Sequence, residues 1–157
     1  MSPPQKPGKS KQDYETPKAF VDSVEARWGR LDVDLAASEE NAKAPLFLTQ
    51  TTDSLSVDWV RRFRGKACWL NPPYADLAPW AEKCAAAGPA MGQGRIYLLT
   101  PASVGANWFA EHVHRRALVL GISPRLQFVG TDAVYPKDLM LSVFAPGLTG
   151  FDVWRWK

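Results

Sequence analysis

Apolar and polar positions along the chain change their period several times, and each change marks an element. In "TPKAFVDSVEARWG" (16–29), Phe20, Val21, Val24 and Trp28 recur at helical spacing. Thr16 can cap there, with Pro17 at the first helical position and Gly29 as the stop, so a helix is predicted over 17–28. "LDVDLAAS" (31–38) alternates acid and apolar residues, a short strand with Leu31, Val33 and Leu35 facing the core. Residues 39–59 show little period and read as a long loop holding one short helix, a length that inside a domain points to function. "KACWL" (66–70), "GRIYLLTP" (94–101) and "ALVLG" (117–121) are apolar strands. Between them, "LAPWAEKCAAAG" (77–88), closed by Gly88, and "GANWFAEHVHRR" (105–116), striped by Trp108, Phe109 and Val113, are helices. "RLQFV" (125–129), "LMLSVFAP" (139–146) and "FDVWRWK" (151–157) read as three further strands. This alternation predicts an α/β fold: a mixed, mostly parallel sheet with helices on both faces and a C-terminal antiparallel hairpin.

Composition narrows the picture. The 157 residues, 46% of them hydrophobic, suit one globular domain, taken as 13–157. Residues 1–12 carry Lys6, Lys9 and Lys11 with no acid and read as a flexible basic tail. No apolar run approaches the roughly 18 residues of a membrane span. The first residues lack the apolar core of a secretory signal, and the two cysteines, Cys68 and Cys84, stand apart. We therefore expect a reducing cytoplasm, no membrane and no metal site; His112 and His114 alone make poor ligands. The net charge of +3 permits a polyanionic partner without requiring one.

The chemistry concentrates in "CWLNPPYADL" (68–77), where a buried strand runs into Asn71-Pro72-Pro73-Tyr74. Proline donates no ladder hydrogen bond, so the strand stops there. Each proline also holds the residue before it extended, which stiffens the loop. In a parallel α/β sheet this is the strand end where ligands bind. An exocyclic amine conjugated to a ring is planar and a weak nucleophile. Two acceptors set around it, the Asn71 side-chain oxygen and the Pro72 carbonyl, would hold both N–H bonds and favour pyramidalisation. Tyr74 can stack on the ring of an extruded base, a contact of about 1–3 kcal/mol. A second site fits the end of the first strand, where Ala36 and Ala37 let a cofactor approach the backbone. There Asp34, or less well Asp32, can meet an amino group or order its water. No glycine-rich phosphate loop is present.

Taken in order, "DYETP" (13–17), "LDVDLAASEENAKAPLFLT" (31–49), "DSLSVDW" (53–59), "WLNPPY" (69–74) and "RLQFVG" (125–130) make the chain resemble the phage-type, Dam-like DNA N6-adenine methyltransferases over roughly 13–145. The resemblance implies a Rossmann-like S-adenosylmethionine-dependent methyltransferase fold and methyl transfer to N6 of adenine in DNA. It implies that Asn71, Pro72, Pro73 and Tyr74 hold the amino group. It places Thr16, Pro17, Asp34, Ala36, Ala37 and Asn71 against the donor, with Asn41 and Asp53 ordering ribose or loop. "VYPKDLMLSVF" (134–144) departs from it, with Lys137 and Asp138 where smaller residues are expected. The candidate DNA contacts are Arg61, Arg62, Arg64 and Lys66 of "VRRFRGK", which reads as a basic loop, then Arg115, Arg116 and the tail lysines, all suited to phosphates. The same loop chemistry also suits an RNA adenine or a protein glutamine amide. A non-catalytic nucleic-acid-binding module would need only the basic residues.

Overall fold

A computed structural model describes residues 14–157. The basic tail expected over 1–12 lies outside the described residues. The chain runs α1 (Lys18–Trp28), β1 (Val33–Asp34), β2 (Leu46–Phe47), a 3-10 turn (Ser54–Ser56), α2 (Trp59–Phe63), β3 (Ala67–Leu70) and α3 (Ala78–Ala87). A second 3-10 turn (Gly88–Ala90) precedes β4 (Arg95–Pro101), α4 (Asn107–His112), β5 (Leu118–Ser123), β6 (Leu139–Phe144) and β7 (Gly150–Arg155). All seven strands form one sheet in the order β2-β1-β3-β4-β6-β5-β7. Strands β1 to β4 pair in parallel, as do β5 and β7, and β6 alone runs against its neighbours β4 and β5. Among the described residues no helix is long and apolar enough to cross a membrane.

Successive side chains of the central strands alternate between two buried layers, as the pleat requires. Cys68, Leu70, Ile96 and Leu98 pack beneath α2, α3 and α4 with Trp59, Phe63, Cys84 and Phe109. Trp69, Tyr97 and Leu99 point the other way, onto Phe20, Val21 and Val24 of α1. Leu31, Val33 and Leu35 are all buried, but Leu31 joins the α1 layer and the other two join the opposite one.

Several expectations change. The C-terminal hairpin does not form, because β5 lies between β6 and β7. Burial explains the split. "LMLSVF" is buried at every position and takes the centre, whereas β7 is exposed at most positions and suits an edge. "RLQFV" is not a strand. Leu126 and Phe128 are buried, yet they anchor a loop tied by Val129 N–H to the Glu15 carbonyl (3.0 Å) and Tyr135 N–H to the Leu126 carbonyl (2.8 Å). Since β6 reverses direction, the 124–138 connection starts and ends at the carboxyl edge of the parallel strands and stays there. Thr16 does not cap α1; Pro17 occupies the cap position without a side-chain bond. Gly88 does not end α3 in a left-handed turn, since it keeps helical angles and runs into the 3-10 turn. It is glycine for space: a Cβ there would stand 2.9 Å from Cβ of Phe144. Part of "VRRFRGK", read as a loop, is α2, started by Asp58 Oδ1 accepting from Arg61 N–H (3.0 Å) and buried through Trp59 and Phe63 one turn apart.

Candidate active site

Two cavities adjoin at the carboxyl edge of the sheet, and Tyr14 lines both. The larger, about 750 Å3, is bordered by Thr16, Asp34, Ala36, Ala37, Asn41, Asp53, Asn71 and Pro73. It thus brings together most of the residues expected against a donor. The smaller, about 450 Å3, has aromatic walls from Tyr14, Tyr74, Trp108 and Tyr135, with Asp76, Ser103 and Lys137 as its polar members. The Asn-Pro-Pro-Tyr loop therefore bridges the two, with Asn71 and Pro73 on one side and Tyr74 on the other.

Asn71 leaves β3 with its amide held rigidly. Nδ2 donates to the Tyr14 carbonyl (2.6 Å) and to Thr16 Oγ1 (3.0 Å). A carbonyl only accepts, so the atom facing it must be the nitrogen, and this settles the amide's orientation. Oδ1 is left buried with no partner among the described residues. A buried acceptor without a partner costs about 1–3 kcal/mol, which a ligand donor would recover. Pro72 is buried, and no described donor reaches its carbonyl oxygen. Thr16 is 1% exposed, so its hydroxyl serves Asn71 as well as the cavity wall. Pro17 lines neither cavity; it starts α1 by accepting from Phe20 and Val21 N–H.

Asp34, at the end of β1, is 3% exposed. Its carboxylate accepts from Ala36 N–H (3.2 Å) and Lys43 N–H (3.0 Å). Burial outweighs these two bonds and pushes its pKa up to about 6. Such a group has its charge held against desolvation and gains from a cationic or N–H partner. Asp32 is removed from consideration because its Oδ2 accepts from Ala67 N–H (2.8 Å) at the other end of the strand. Asn41 orders the loop, its Oδ1 accepting from Ser38 N–H (2.7 Å). Asp53 does not cap the turn it precedes. It sits at φ 53, an uncommon conformation for a residue with a side chain, and leaves its exposed carboxylate on the cavity wall.

Tyr74 belongs to an aromatic cluster. Its ring centroid is 5.5 Å from that of Tyr14 and 6.5 Å from those of Phe128 and Tyr135. Its hydroxyl is buried without a partner among the described residues, and burial followed by the neighbouring Tyr135 and Tyr14 raises its pKa. Tyr14 is the residue the sequence reading passed over: its carbonyl orients Asn71, and its ring stacks on Phe128 at 4.8 Å. Lys137, where the resemblance leads to the expectation of a smaller residue, lines the smaller cavity.

The basic candidates lie elsewhere. Lys66 directly precedes β3 and Asn71 directly follows it, so Arg64 and Lys66 sit at the opposite edge, about 13 Å of strand away. Arg61 and Arg62 are exposed on α2, and Arg115 and Arg116 precede β5 at that same far edge. None of the six borders either cavity.

Residues 4–139 match the family described as DNA N-6-adenine-methyltransferase (Dam). A DNA N-6-adenine-methyltransferase of Escherichia phage T1 is 33% identical over 113 residues, covering 72% of this chain and 45% of that protein. Another of the same description, from Haemophilus phage HP1 (strain HP1c1), is 26% identical over 123 residues, covering 74% of this chain and 68% of that protein. The chain thus spans less than half the length of the first of these relatives. With a match over most of its length, it belongs to the DNA N-6-adenine-methyltransferase (Dam) family.

Proposed function

We propose that this chain transfers a methyl group from S-adenosylmethionine to the N6 amino group of adenine in DNA, with residues 13–157 acting as one Rossmann-like methyltransferase domain. The observation that carries the proposal is the buried, unpartnered Oδ1 of Asn71, fixed in orientation where two cavities meet. One cavity has the volume and mixed polarity that suit a nucleoside-sized donor. The other offers aromatic faces to a single flat ring.

In the larger cavity Ala36 and Ala37 admit the donor close to the backbone, and Asp34 meets its amino group. Asp53 presents a carboxylate to the ribose hydroxyls, and Asn41 keeps the intervening loop in shape. When bound, S-adenosylmethionine supplies a methyl group made electrophilic by the attached sulfonium. In the smaller cavity Tyr74, Tyr14 and Tyr135 hold the extruded adenine by stacking. Asn71 Oδ1 and the Pro72 carbonyl accept its two N–H bonds, which turns the nitrogen lone pair out of the ring. The proton leaves after the bond to carbon forms, so no base with a tuned pKa is needed beforehand.

The test supplies labelled S-adenosylmethionine with DNA, RNA and protein in parallel, followed by analysis of the modified residues. N6-methyladenine in DNA is the expected product. Label in RNA or in protein glutamine alone would overturn the substrate. Donor binding absent by calorimetry, with DNA still bound, would make the chain a binding module.

A further inference from the structure

Charge is divided between the two edges of the sheet. At the carboxyl edge Lys43 is paired with Glu15 (2.9 Å) and Arg125 with Asp138 (2.9 Å). The two cavities there add five acids, Asp34, Glu39, Glu40, Asp53 and Asp76, against one further cation, Lys137. The amino edge is the reverse. Ala67 of β3 pairs with Arg95 of β4, Ile96 with Phe144, and Val143 with Leu118 of β5. This register places Lys66, Arg95 and Arg116 along one line across four strands, with Arg64 and Arg115 just beyond it and Arg30 at the entry to β1. All six are exposed or half-buried, and among the described residues none is in an ion pair. Three acids stand on adjoining segments, and none of them forms an ion pair with these cations. Glu25 accepts from Leu31 N–H (2.9 Å), Asp32 from Ala67 N–H (2.8 Å), and Glu111 faces His112 (3.7 Å).

A row of unpaired cations repels itself and is stabilised by a polyanion. Three strand spacings, about 14 Å, match roughly four phosphates of one DNA strand at its axial rise. We propose that the amino edge is a second DNA-contacting surface, which holds duplex by its phosphates outside the segment whose base enters the cleft. The two sites lie at opposite edges of the sheet, about 13 Å apart along β3 and about 23 Å along β4, so a duplex docked across one edge does not lie along the other. The surface rests on the reading of DNA as substrate. It would keep the enzyme on long DNA while the cleft, whose own edge is acidic, engages a base.

The experiment compares the wild type with the fourfold variant Arg64→Gln, Lys66→Gln, Arg115→Gln, Arg116→Gln, with thermal melting to confirm folding. On long duplex the salt dependence of binding should flatten, its logarithmic slope falling by about 3 to 4. Turnover on a duplex of about one helical turn should stay within about twofold of the wild type. An unchanged slope overturns the proposal. So does an equal loss of turnover on short and long duplex, which would put the row in the catalytic footprint. A change in self-association without a change in DNA binding also overturns it, making the occupant the acidic edge of a second copy. If the slope flattens but wild-type protein methylates no DNA, the surface stands and the methyl-transfer reading falls. An Asn71→Ala protein should keep the wild-type slope while losing transfer, separating the two sites.

Discussion

The two cavities are built on different physical plans. The larger is walled mainly by polar and small residues, with Trp69 and Trp80 among them: Ala36 and Ala37, a buried carboxylate at Asp34, and loops fastened by short bonds such as Asn41 to Ser38. The smaller is a cavity of rings, with Tyr14, Tyr74, Tyr135 and Trp108 drawn from four separate stretches of chain. The first suits a polar ligand recognised by fixed hydrogen bonds. The second suits a flat ring recognised by its faces, which tolerates imprecise approach. Asn71 stands where they meet, and it shows why the amide matters as well as the oxygen. Nδ2 anchors to Tyr14 and Thr16, so that Oδ1 is left without a partner among the described residues.

The largest effect expected from breaking this division is at that junction. Asn71→Ala should lower the transfer rate by about 10²–10³, the usual consequence of removing one preorganised polar contact, while donor binding by calorimetry stays near wild type. Asn71→Asp should not rescue it. An ionised carboxylate would put an oxygen against the Tyr14 carbonyl, now met by nitrogen at 2.6 Å, so the substitution repels where Asn attracts. Rate profiles against pH should show any residual activity of Asn71→Asp confined to low pH, where the carboxyl keeps its proton. Full activity at neutral pH would mean that the Tyr14 carbonyl does not orient this residue.

A loss confined to the ring-lined side should follow from Tyr14→Leu. The variant keeps the backbone carbonyl that orients Asn71 but removes a stacking face, so DNA affinity should fall by about 1–3 kcal/mol. Donor affinity measured without DNA should fall less, although Tyr14 borders both cavities. Equal losses of both would show that the two cavities act as one.

On the polar side, pH is the finer probe. Burial holds the Asp34 pKa at about 6, above its unfolded value of 3.8, so the folded state binds the proton more tightly. The contribution of Asp34 to stability is therefore greatest at acid pH and falls by about 3 kcal/mol as pH rises from about 4 through 6. Donor binding should run the other way, since the donor's amino group favours ionised Asp34: affinity should rise from pH 5 to pH 7. Asp34→Asn should flatten both dependences. A donor affinity indifferent to pH over this range would detach Asp34 from the amino group.

The polar cavity was far more legible in the sequence than the aromatic one. Asp34, Ala36 and Ala37 lie within one strand end, and Asn71 to Pro73 within one loop, so short patterns carried them. The aromatic walls come together only through tertiary structure. Tyr135 and Lys137 ride on a connection held at the carboxyl edge because β6 reverses, and reversal depends on which strand buries both faces. That is a property of the whole sheet, and it is also why "RLQFV", with strand-like alternation, became an anchor for a loop. The short α2 was legible after all, from Asp58 followed by Trp59 and Phe63 at helical spacing, but four basic residues in "VRRFRGK" suggested a loop.

The smallest effect expected is also the sharpest test of what the ring-lined cavity recognises. Tyr74 packs by its ring, and its hydroxyl is buried with no partner among the described residues. Tyr74→Phe removes a polar atom whose desolvation nothing repays, so stability should hold or rise by up to about 1–3 kcal/mol. Turnover should stay within about threefold of the wild type, since stacking uses the π-face that Phe retains. Tyr74→Ala, losing that face, should weaken DNA engagement well beyond this. If Tyr74→Phe instead loses activity as Tyr74→Ala does, the hydroxyl must find a donor or acceptor in the bound state. The aromatic cavity would then read hydrogen bonds as the polar one does, and the contrast between them would fail at the loop that joins them.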